Sequence, residues 1–414
     1  MNVSRLTSIK LSLALVFIVF IFPLLSSCKP DALQNAKPES VYVTLQDGNL
    51  GEIWALPLAK NTEPKVLYRL APAHIDFISS KKANLMTKRF MDELQSRLDA
   101  VKSSNTDLQI ELDELVLSPD KTLLAWDEYM YQPPEHDLIQ STIKIMRIDN
   151  QSIVATYSTF GAVEDLSWSP DNKHILFDWT TDDVSQVSLL DISKSAVVNI
   201  SRGSSPVFSP KGDVVFAEFP AVWPNNDGCC QAININTGAD KKIEIDNQDP
   251  LSKPFPSPDG KYITLVAKNK EGIPNLVMVD VDTSEVQTFP VQFIGTNIVY
   301  FPQWSPKGGQ IAMTIFNPNP SLMVLNKDFG KIELQYQMDG VAEWKWSDNG
   351  EQILILKLDY GTSELCTVSS AQLEIVSLKD KSIKLIDLPD PVYKALHQEL
   401  FKYICPPGLA WIAW

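Results

Sequence analysis

The sequence predicts an all-β chain wound into a seven-bladed propeller, with six blades as the alternative count, and three observations lead there. One phrase recurs six times: LSPDKTLLAW from Leu117, WSPDNKHILF from Trp168, FSPKGDVVF from Phe208, PSPDGKYITL from Pro256, WSPKGGQIAM from Trp304 and WSDNGEQILI from Trp346. Its serines (Ser118, Ser169, Ser209, Ser257, Ser305, Ser347) stand 40 to 51 residues apart, the length of one small four-stranded sheet per repeat. Two more runs of strand character follow every copy, and partial units stand at both ends of the chain.

Each phrase is a tight turn running into a strand. Proline presets φ at the second position, Asp or Lys follows, and the fourth slot calls for a left-handed residue. That slot holds Lys121, Asn172, Gly212, Gly260, Gly308 and Gly350, so five of six copies carry a residue type that reaches positive φ cheaply. Lys121 is the exception. After the turn, apolar residues alternate, Leu124, Ile175, Val215, Ile263, Ile311 and Ile353 being followed two positions later by Trp126, Phe177, Ala217, Leu265, Met313 and Ile355. Period two is the mark of a strand. Before the turn stands a mostly large, flat residue, which suits packing one twisted sheet on the next.

The further runs complete each unit. IKIMRID, QVSLLDI, QAININT, NLVMVDV, SLMVLN and AQLEIVSL form one set, and SIVATYS, AVVNIS, DKKIEID, EVQTFP, KIELQYQ and SIKLIDL the other. A blade is therefore strand a, the Ser-Pro-Asp-Gly turn, and strands b, c and d. The segment from Val41 lacks the turn but reads VYVTL, GEIWALPL and KVLYRL, the b, c and d strands of a further blade. Its missing strand a is supplied by GLAWIAW, which stops at Trp414 where the aromatic before a turn would stand. Pairing the last strand with the first three closes the ring and removes exposed edges.

Over residues 115–358 the repeats resemble the TolB-type, WD-like propeller repeat, an aromatic followed by Ser-Pro-Asp-Gly-Lys and an alternating strand. The resemblance implies the fold and little more. The chain has no evident α/β domain before the propeller, so a Tol-system role does not follow. Similar repeats also form the propellers of prolyl-peptidase enzymes, which carry a hydrolase domain; no G-x-S-x-G stands in this chain.

Residues 1–27 read as a lipoprotein signal peptide, with Arg5 and Lys10 preceding the apolar run LSLALVFIVFIFPLL and the ending LSSC. That ending resembles a bacterial lipobox, which implies lipidation of Cys28, a tether over 28–40 and a propeller over 41–414. Membrane attachment would then be through the N-terminal lipid. Localisation would be extracytoplasmic, in a bacterial envelope, at the outer membrane or the outer face of the cytoplasmic membrane. Lys29 in place of the inner-membrane retention aspartate implies outer-membrane sorting where the host has two membranes. An uncleaved anchor with an incidental cysteine is the alternative.

The net charge is −15, and removing a leader with two basic residues and no acid makes the remainder more negative. Nucleic acid is an unsuitable partner for such a surface. In a propeller the b–c and d–a connections share one face, and here the long connections are all of that kind, so that face is the expected working face. Tyr129, Tyr131, Trp223, Asp227, Asp359 and Tyr360 fall in or beside those connections and are the candidate binding residues. An insertion over 74–108 between blades 1 and 2 is expected to be helical, with Met86, Phe90, Leu94, Leu98 and Val101 at helical spacing.

Cys229, Cys230, Cys366 and Cys405 also fall in connections of that face, and an even count in an exported chain suggests disulfides. Cys366 and Cys405 belong to neighbouring connections of blade 7 and are the expected pair. Cys229 and Cys230 are left to form a strained adjacent bridge or to stay reduced. No cofactor is expected. Oxygen atoms around Asp227 in PNNDGCC could hold calcium, although an ordinary turn explains Asn-Asp-Gly equally well.

His74, His136, His174 and His397 form no H-E-x-x-H, and no phosphate-binding glycine loop is present. Two functional classes remain. One is a noncatalytic, monomeric binding or scaffold lipoprotein whose long-loop face meets a protein or an envelope polymer. The other is a propeller enzyme of the lyase or cyclotransferase type with its site in the central channel, marked by a charged cluster and a bound metal where the loops converge.

Overall fold

A computed structural model describes residues 40–47, 50–58, 63–70, 108–132, 137–159, 161–181, 184–218, 230–245, 249–250, 252–290, 299–316, 320–326, 332–337, 341–360, 368–386 and 412–413. Among them the strands form seven antiparallel sheets, which are the seven blades. Blade 1 pairs the terminal strand Ile412–Ala413 with Ser40–Asp47, then Leu50–Pro57 and Lys65–Arg69. Tyr42 faces Ala413 and Val43 faces Ile412. The ring is thus closed by its two ends, as the sequence predicts. The helical insertion read at 74–108 lies almost wholly outside the described residues.

Strands a to d of blade 2 are Gln109–Leu117, Leu123–Gln132, Asp137–Arg147 and Ile153–Thr159; those of blade 3 are Ala162–Trp168, His174–Thr181, Val184–Asp191 and Ala196–Arg202. Blade 4 has Ser204–Phe208, Val214–Glu218, Cys230–Asn234 and Asp240–Ile243. In blade 5 strand a is split into Asp249–Pro250 and Phe255–Pro256, both paired with Tyr262–Lys268, followed by Pro274–Asp280 and Val286–Pro290. Blade 6 has Val299–Trp304, Gln310–Phe316, Pro320–Asn326 and Ile332–Gln337, and blade 7 has Val341–Trp346, Gln352–Tyr360, Val368–Ser377 and Ile383–Ile386.

The repeated phrase has a physical explanation in five of its six copies, the hydroxyl of Ser305 in blade 6 being the one without a partner. All six motif serines are buried. Ser118, Ser169, Ser209, Ser257 and Ser347 each accept a hydrogen bond from the backbone amide five residues on, at 2.9 to 3.2 Å. In four copies the serine hydroxyl also donates to the carboxylate or amide oxygen two positions on, Asp120, Asp171, Asp259 or Asn349. Lys211 occupies that slot in blade 4, and Asp213 takes the acceptor role instead. The fourth slot is left-handed in all six copies, from φ 58° at Lys121 to 74° at Gly212.

The letters also join one blade to the next. A Cβ on Gly212 would stand 3.1 Å from Pro170 of the preceding turn, and one on Gly260 or Gly308 would stand 3.6 Å from Pro210 or Pro258. Trp168 Nε1 donates to the Val116 carbonyl of the blade before, and Trp346 Nε1 to that of Gln303. Lys121, the exception among the turn residues, forms an ion pair with Asp348 at 2.7 Å. Those two residues belong to the turns of blades 2 and 7, the neighbours of blade 1, which has no turn of its own. The lysine spans that gap.

Apolar burial fills the wedges between blades. One cluster joins Ala125, Ile143 and Ile145 of blade 2 to Val163, Trp168 and Phe177 of blade 3. Between blades 1 and 2, Tyr68 stacks 4.7 Å from Trp126 and donates to Glu128, which also pairs with Lys144 at 2.8 Å. Blades 6 and 7 repeat the device with Tyr336, Glu374 and Lys357. The acid and the base have exchanged strands between the two copies. No helix among the described residues is long and apolar enough to cross a membrane.

Candidate functional site

The site begins with an irregularity in the innermost strands. Strand a loses register between Asp113 and Leu115 in blade 2, between Glu164 and Ser167 in blade 3, and between Ser204 and Val207 in blade 4. Each break places a residue four positions before the motif serine in the left-handed region: Glu114 at φ 22°, Asp165 at 57° and Ser205 at 51°. Such bulges bend the strand and re-aim a side chain. In blade 5 the same position is Lys253, in the gap between the two short pieces of strand a, where Ser252 Oγ accepts the Val266 amide at 2.9 Å. Proline at 250, 254 and 256 explains the gap, since none of them can donate to the ladder.

The opposing strand adds a second set. Nine positions after the motif serine stand Asp127, Asp178 and Glu218 in blades 2, 3 and 4. Each faces the residue five positions before its serine: Asp113 faces Asp127, Glu164 faces Asp178 and Ser204 faces Glu218. Two cross-strand pairs therefore set carboxylate against carboxylate, an unfavourable arrangement in any sheet. Asp127 and Asp178 are fully buried. Both oxygens of Asp127, and Oδ1 of Asp178, have no hydrogen-bond partner.

Lys253 is the cation of the group. Its ammonium pairs with Asp165, a contact from blade 5 to blade 3 that passes blade 4. Only residues lining the central channel can meet that way, so the cluster lies in the channel. About a quarter of the Lys253 side chain stays open to solvent. The Leu166 amide donates to Glu114 at 2.5 Å, joining blades 2 and 3 within the same group. In blades 3 and 4 the acids stand near the strand ends that lead into the b–c and d–a connections, so the cluster faces the long-connection side.

Electrostatics follow from this crowding. Burial, and then the charge of Asp165, push the Glu114 carboxyl up to about 8, against the pull of Lys253 and the Leu166 amide. Burial with Asp165, Glu164 and Glu114 brings Asp178 to about 8 as well. Asp127 is raised well above the carboxylate range by burial, Asp113 and Glu114. Glu164 and Glu218 are raised by burial and by Asp165. Burial works to lower the Lys253 ammonium, but Asp165 and Glu114 outweigh it and hold it above its ordinary value.

Folded Glu114 and Asp178 keep their protons up to about pH 8, whereas the unfolded chain releases them near pH 4. Across that interval the native state binds more protons. Stability is therefore expected to fall as pH rises from 5 to 8, by up to about 1.4 kcal/mol per pH unit for each such group. The turn carboxylates Asp120, Asp171 and Asp259, which are held low, add their own loss of stability only in more acidic solution. Urea midpoints measured from pH 5 to 8 check this, and Asp178→Asn should flatten the slope. A midpoint that stays level or rises would mean that the channel acids are already ionised at pH 5.

The residues singled out in the sequence are distributed as follows. Tyr129, in strand b of blade 2, is half-buried beside Asp127 and Asp113, and its hydroxyl donates to the Val163 carbonyl. Tyr131 is buried in the same strand and its hydroxyl donates to Gln109 and Glu111 at 2.7 and 2.6 Å. Asp359 and Tyr360 end strand b of blade 7, opposite Ser370 and Val368. Cys230 opens strand c of blade 4 and is buried. Cys28, Trp223, Asp227, Cys229, Cys366 and Cys405 lie outside the described residues. Among the described residues no three His, Cys, Asp or Glu side chains are grouped to hold a metal ion.

Motif reading missed the channel acids, although a signal was present. Aligning the six repeats at four positions before the serine gives Glu, Asp, Ser, Lys, Phe and Glu; nine positions after it gives Asp, Asp, Glu, Val, Thr and Leu. Charge therefore gathers at inner-strand positions of consecutive blades, where the repeat otherwise favours apolar or small residues.

No family model and no curated protein matches the chain. Solved structures do. A prolyl endopeptidase from a structural and mechanistic study of two such enzymes superposes with a TM-score of 0.53 at 11% identity, over 94% of this chain and 56% of that one. The chain thus spans just over half of that protein's length. TolB from Acinetobacter baumannii matches with a TM-score of 0.47 at 15% identity, over 90% of this chain and 82% of the other. A TolB described as putative, from Agrobacterium tumefaciens, matches with a TM-score of 0.40 at 11% identity, over 72% and 89%. At such identities the likeness to the prolyl endopeptidase extends to the propeller fold alone, and the two TolB superpositions are too loose to add to it.

Proposed function

We propose that this protein is a noncatalytic binding propeller, held outside a bacterial cytoplasm by a lipid on Cys28, that engages a protein or an envelope polymer through its long-connection face. The observation that carries this reading is the asymmetry of the ring. One face is made of short turns locked by serine hydroxyls and by glycine against proline. The other carries the four longest connections, from Arg69 to Gln109, Glu218 to Cys230, Pro290 to Val299 and Ile386 to Ile412. A rigid scaffold beneath variable loops is the usual construction of a recognition surface. The acidic channel opens toward that same side and gives it a charge preference.

The enzyme reading has one observation behind it. Glu114 and Asp178 hold protons near neutral pH, as a general acid must. Acids crowded on three blades around one lysine from a fourth suit recognition of positive charge better than bond cleavage, which needs groups driven in opposite directions.

The test is cross-linking of the tethered protein in intact envelope, followed by mass spectrometry of what is captured. Trp223→Ala and Tyr360→Ala are expected to reduce capture of one defined partner at least fivefold with an unchanged melting temperature. Asp259→Ala and Lys307→Ala, on the turn face, should leave it unaltered. Cys28→Ser should yield an unprocessed precursor. Capture that responds to the turn variants and ignores the loop variants would place the function on the other face.

A further inference from the structure

We propose that the channel carboxylates of blades 2 to 4 form a receptor for a guanidinium or ammonium group entering from the long-connection face, with Asp127 and Asp178 as its principal acceptors. The proposal deepens the binding function above and rests on it.

The acceptors come first. Asp127 and Asp178 are fully buried, and three of their four carboxylate oxygens accept no hydrogen bond. Buried polar atoms are nearly always partnered, so unpartnered carboxylate oxygens on the strands nearest the channel mark a place suited to a donor. The surroundings give the sign of that donor. Asp113 and Glu114 on the neighbouring strand act on Asp127, and Glu114, Glu164 and Asp165 act on Asp178. The Tyr129 hydroxyl, beside Asp127, donates to the Val163 carbonyl.

Charge balance is uneven. Among the described residues, seven carboxylates (Asp113, Glu114, Asp127, Glu164, Asp165, Asp178, Glu218) gather here with the ammonium of Lys253, which is engaged with Asp165. The geometry also selects the kind of cation. No three of these acids converge closely enough to chelate a metal ion. A guanidinium carries five N–H donors in a planar fork and reaches acceptors spread over several ångströms, and an extended amine does so through successive nitrogens. Lys253 on Asp165 already shows one such contact being made across the channel.

Glu114 and Asp178, raised to about 8, hold protons at neutral pH. Binding of a cation should displace part of them. The donor could belong to a small molecule or to a side chain of a bound peptide, and the two are separable by experiment.

The test is calorimetric titration of the purified full chain at pH 7.5 with agmatine, with the acetylated and amidated peptide Gly-Arg-Gly, and with calcium chloride, each in two buffers of different ionisation enthalpy. Saturable binding of agmatine or of the peptide, with a heat that changes with buffer because protons are released, supports the proposal, and whichever binds identifies the source. Asp127→Asn combined with Asp178→Asn is expected to weaken that binding at least tenfold while the melting temperature at pH 8 stays level or rises, since two crowded carboxyls whose ionisation burial and neighbouring acids oppose are replaced by neutral amides. Glu164→Gln, on the most exposed of these carboxylates, should weaken it about threefold. Lys307→Ala on the turn face should have no effect. Absence of binding by both organic probes, tight binding of calcium alone, or binding indifferent to the acidic substitutions would overturn the proposal. Capture in envelope does not depend on these probes, so the binding function can fail while the receptor stands, or the reverse.

Discussion

Deleting residues 409–414 is expected to destabilise the propeller by on the order of 5 kcal/mol, a loss out of proportion to six residues. The deletion removes the inner strand of blade 1, whose Ile412 and Ala413 pair with Val43 and Tyr42. It strips the ladder from the edge of Ser40–Asp47, and the terminal strand also lies against the inner strands of blades 2 and 7. Two blades then lose their neighbour at once, and an unpaired edge is left to associate with other chains. The measurements are a thermal melt and sedimentation of the truncated protein. A melt superimposable on the parent's would mean that the Lys121–Asp348 ion pair and the blade-to-blade packing hold the ring without that strand.

Lys253→Met should have the second largest effect, a loss of about 3 kcal/mol at pH 8. The substitution keeps the length of the side chain and removes the positive charge that Asp165, Glu114 and Asp178 all face. The lower end of the range for breaking a buried pair applies, because both Lys253 and Asp165 keep some access to solvent. Lysine stays charged throughout the accessible range, so the pH dependence comes from the acids. At pH 5 Glu114 and Asp178 are protonated, and the loss should shrink. Denaturant midpoints for parent and variant at both pH values decide the matter: an equal loss at pH 5 and pH 8 would make Lys253 a packing residue and not a counter-ion.

The enzyme and binding readings separate at the same residues. A general acid at Glu114 or Asp178 would give a turnover rate that falls as pH rises through 8, whereas a receptor for a cation gains affinity over that interval as its carboxylates ionise. Opposite pH trends come from one set of raised carboxyls because catalysis needs the proton that binding displaces.

How much could be read without coordinates depended on the range of each interaction. The turn phrase is local: its serine bonds to an amide five residues away and its left-handed slot concerns a single φ, so spacing and residue type disclosed both. Even the exceptional Lys121 adopts φ 58°. Blade number and ring closure were also legible, because a strand without a partner at one end and a strand too many at the other can be matched by counting. The placement of Tyr131 was not. It stands at the end of strand b beside a connection, but its hydroxyl is turned back onto Gln109 and Glu111 of strand a, a choice that depends on a cross-strand register.

The sequence by itself determined the all-β architecture, the repeat, the six turns and the pairing of the last strand with the first, because each follows from periodicity and short-range backbone preference. Tertiary structure alone decided where the charge collects. Glu114, Asp165 and Lys253 are 51 and 88 residues apart along the chain, yet closure of the ring brings equivalent positions of the inner strands around one axis, and a break in strand a at each of those positions re-aims the side chain. Burial then raises the carboxyl pKa values and leaves Asp127 without a partner. None of that is a property of any one repeat; it arises when the blades are set side by side and water is largely excluded between them.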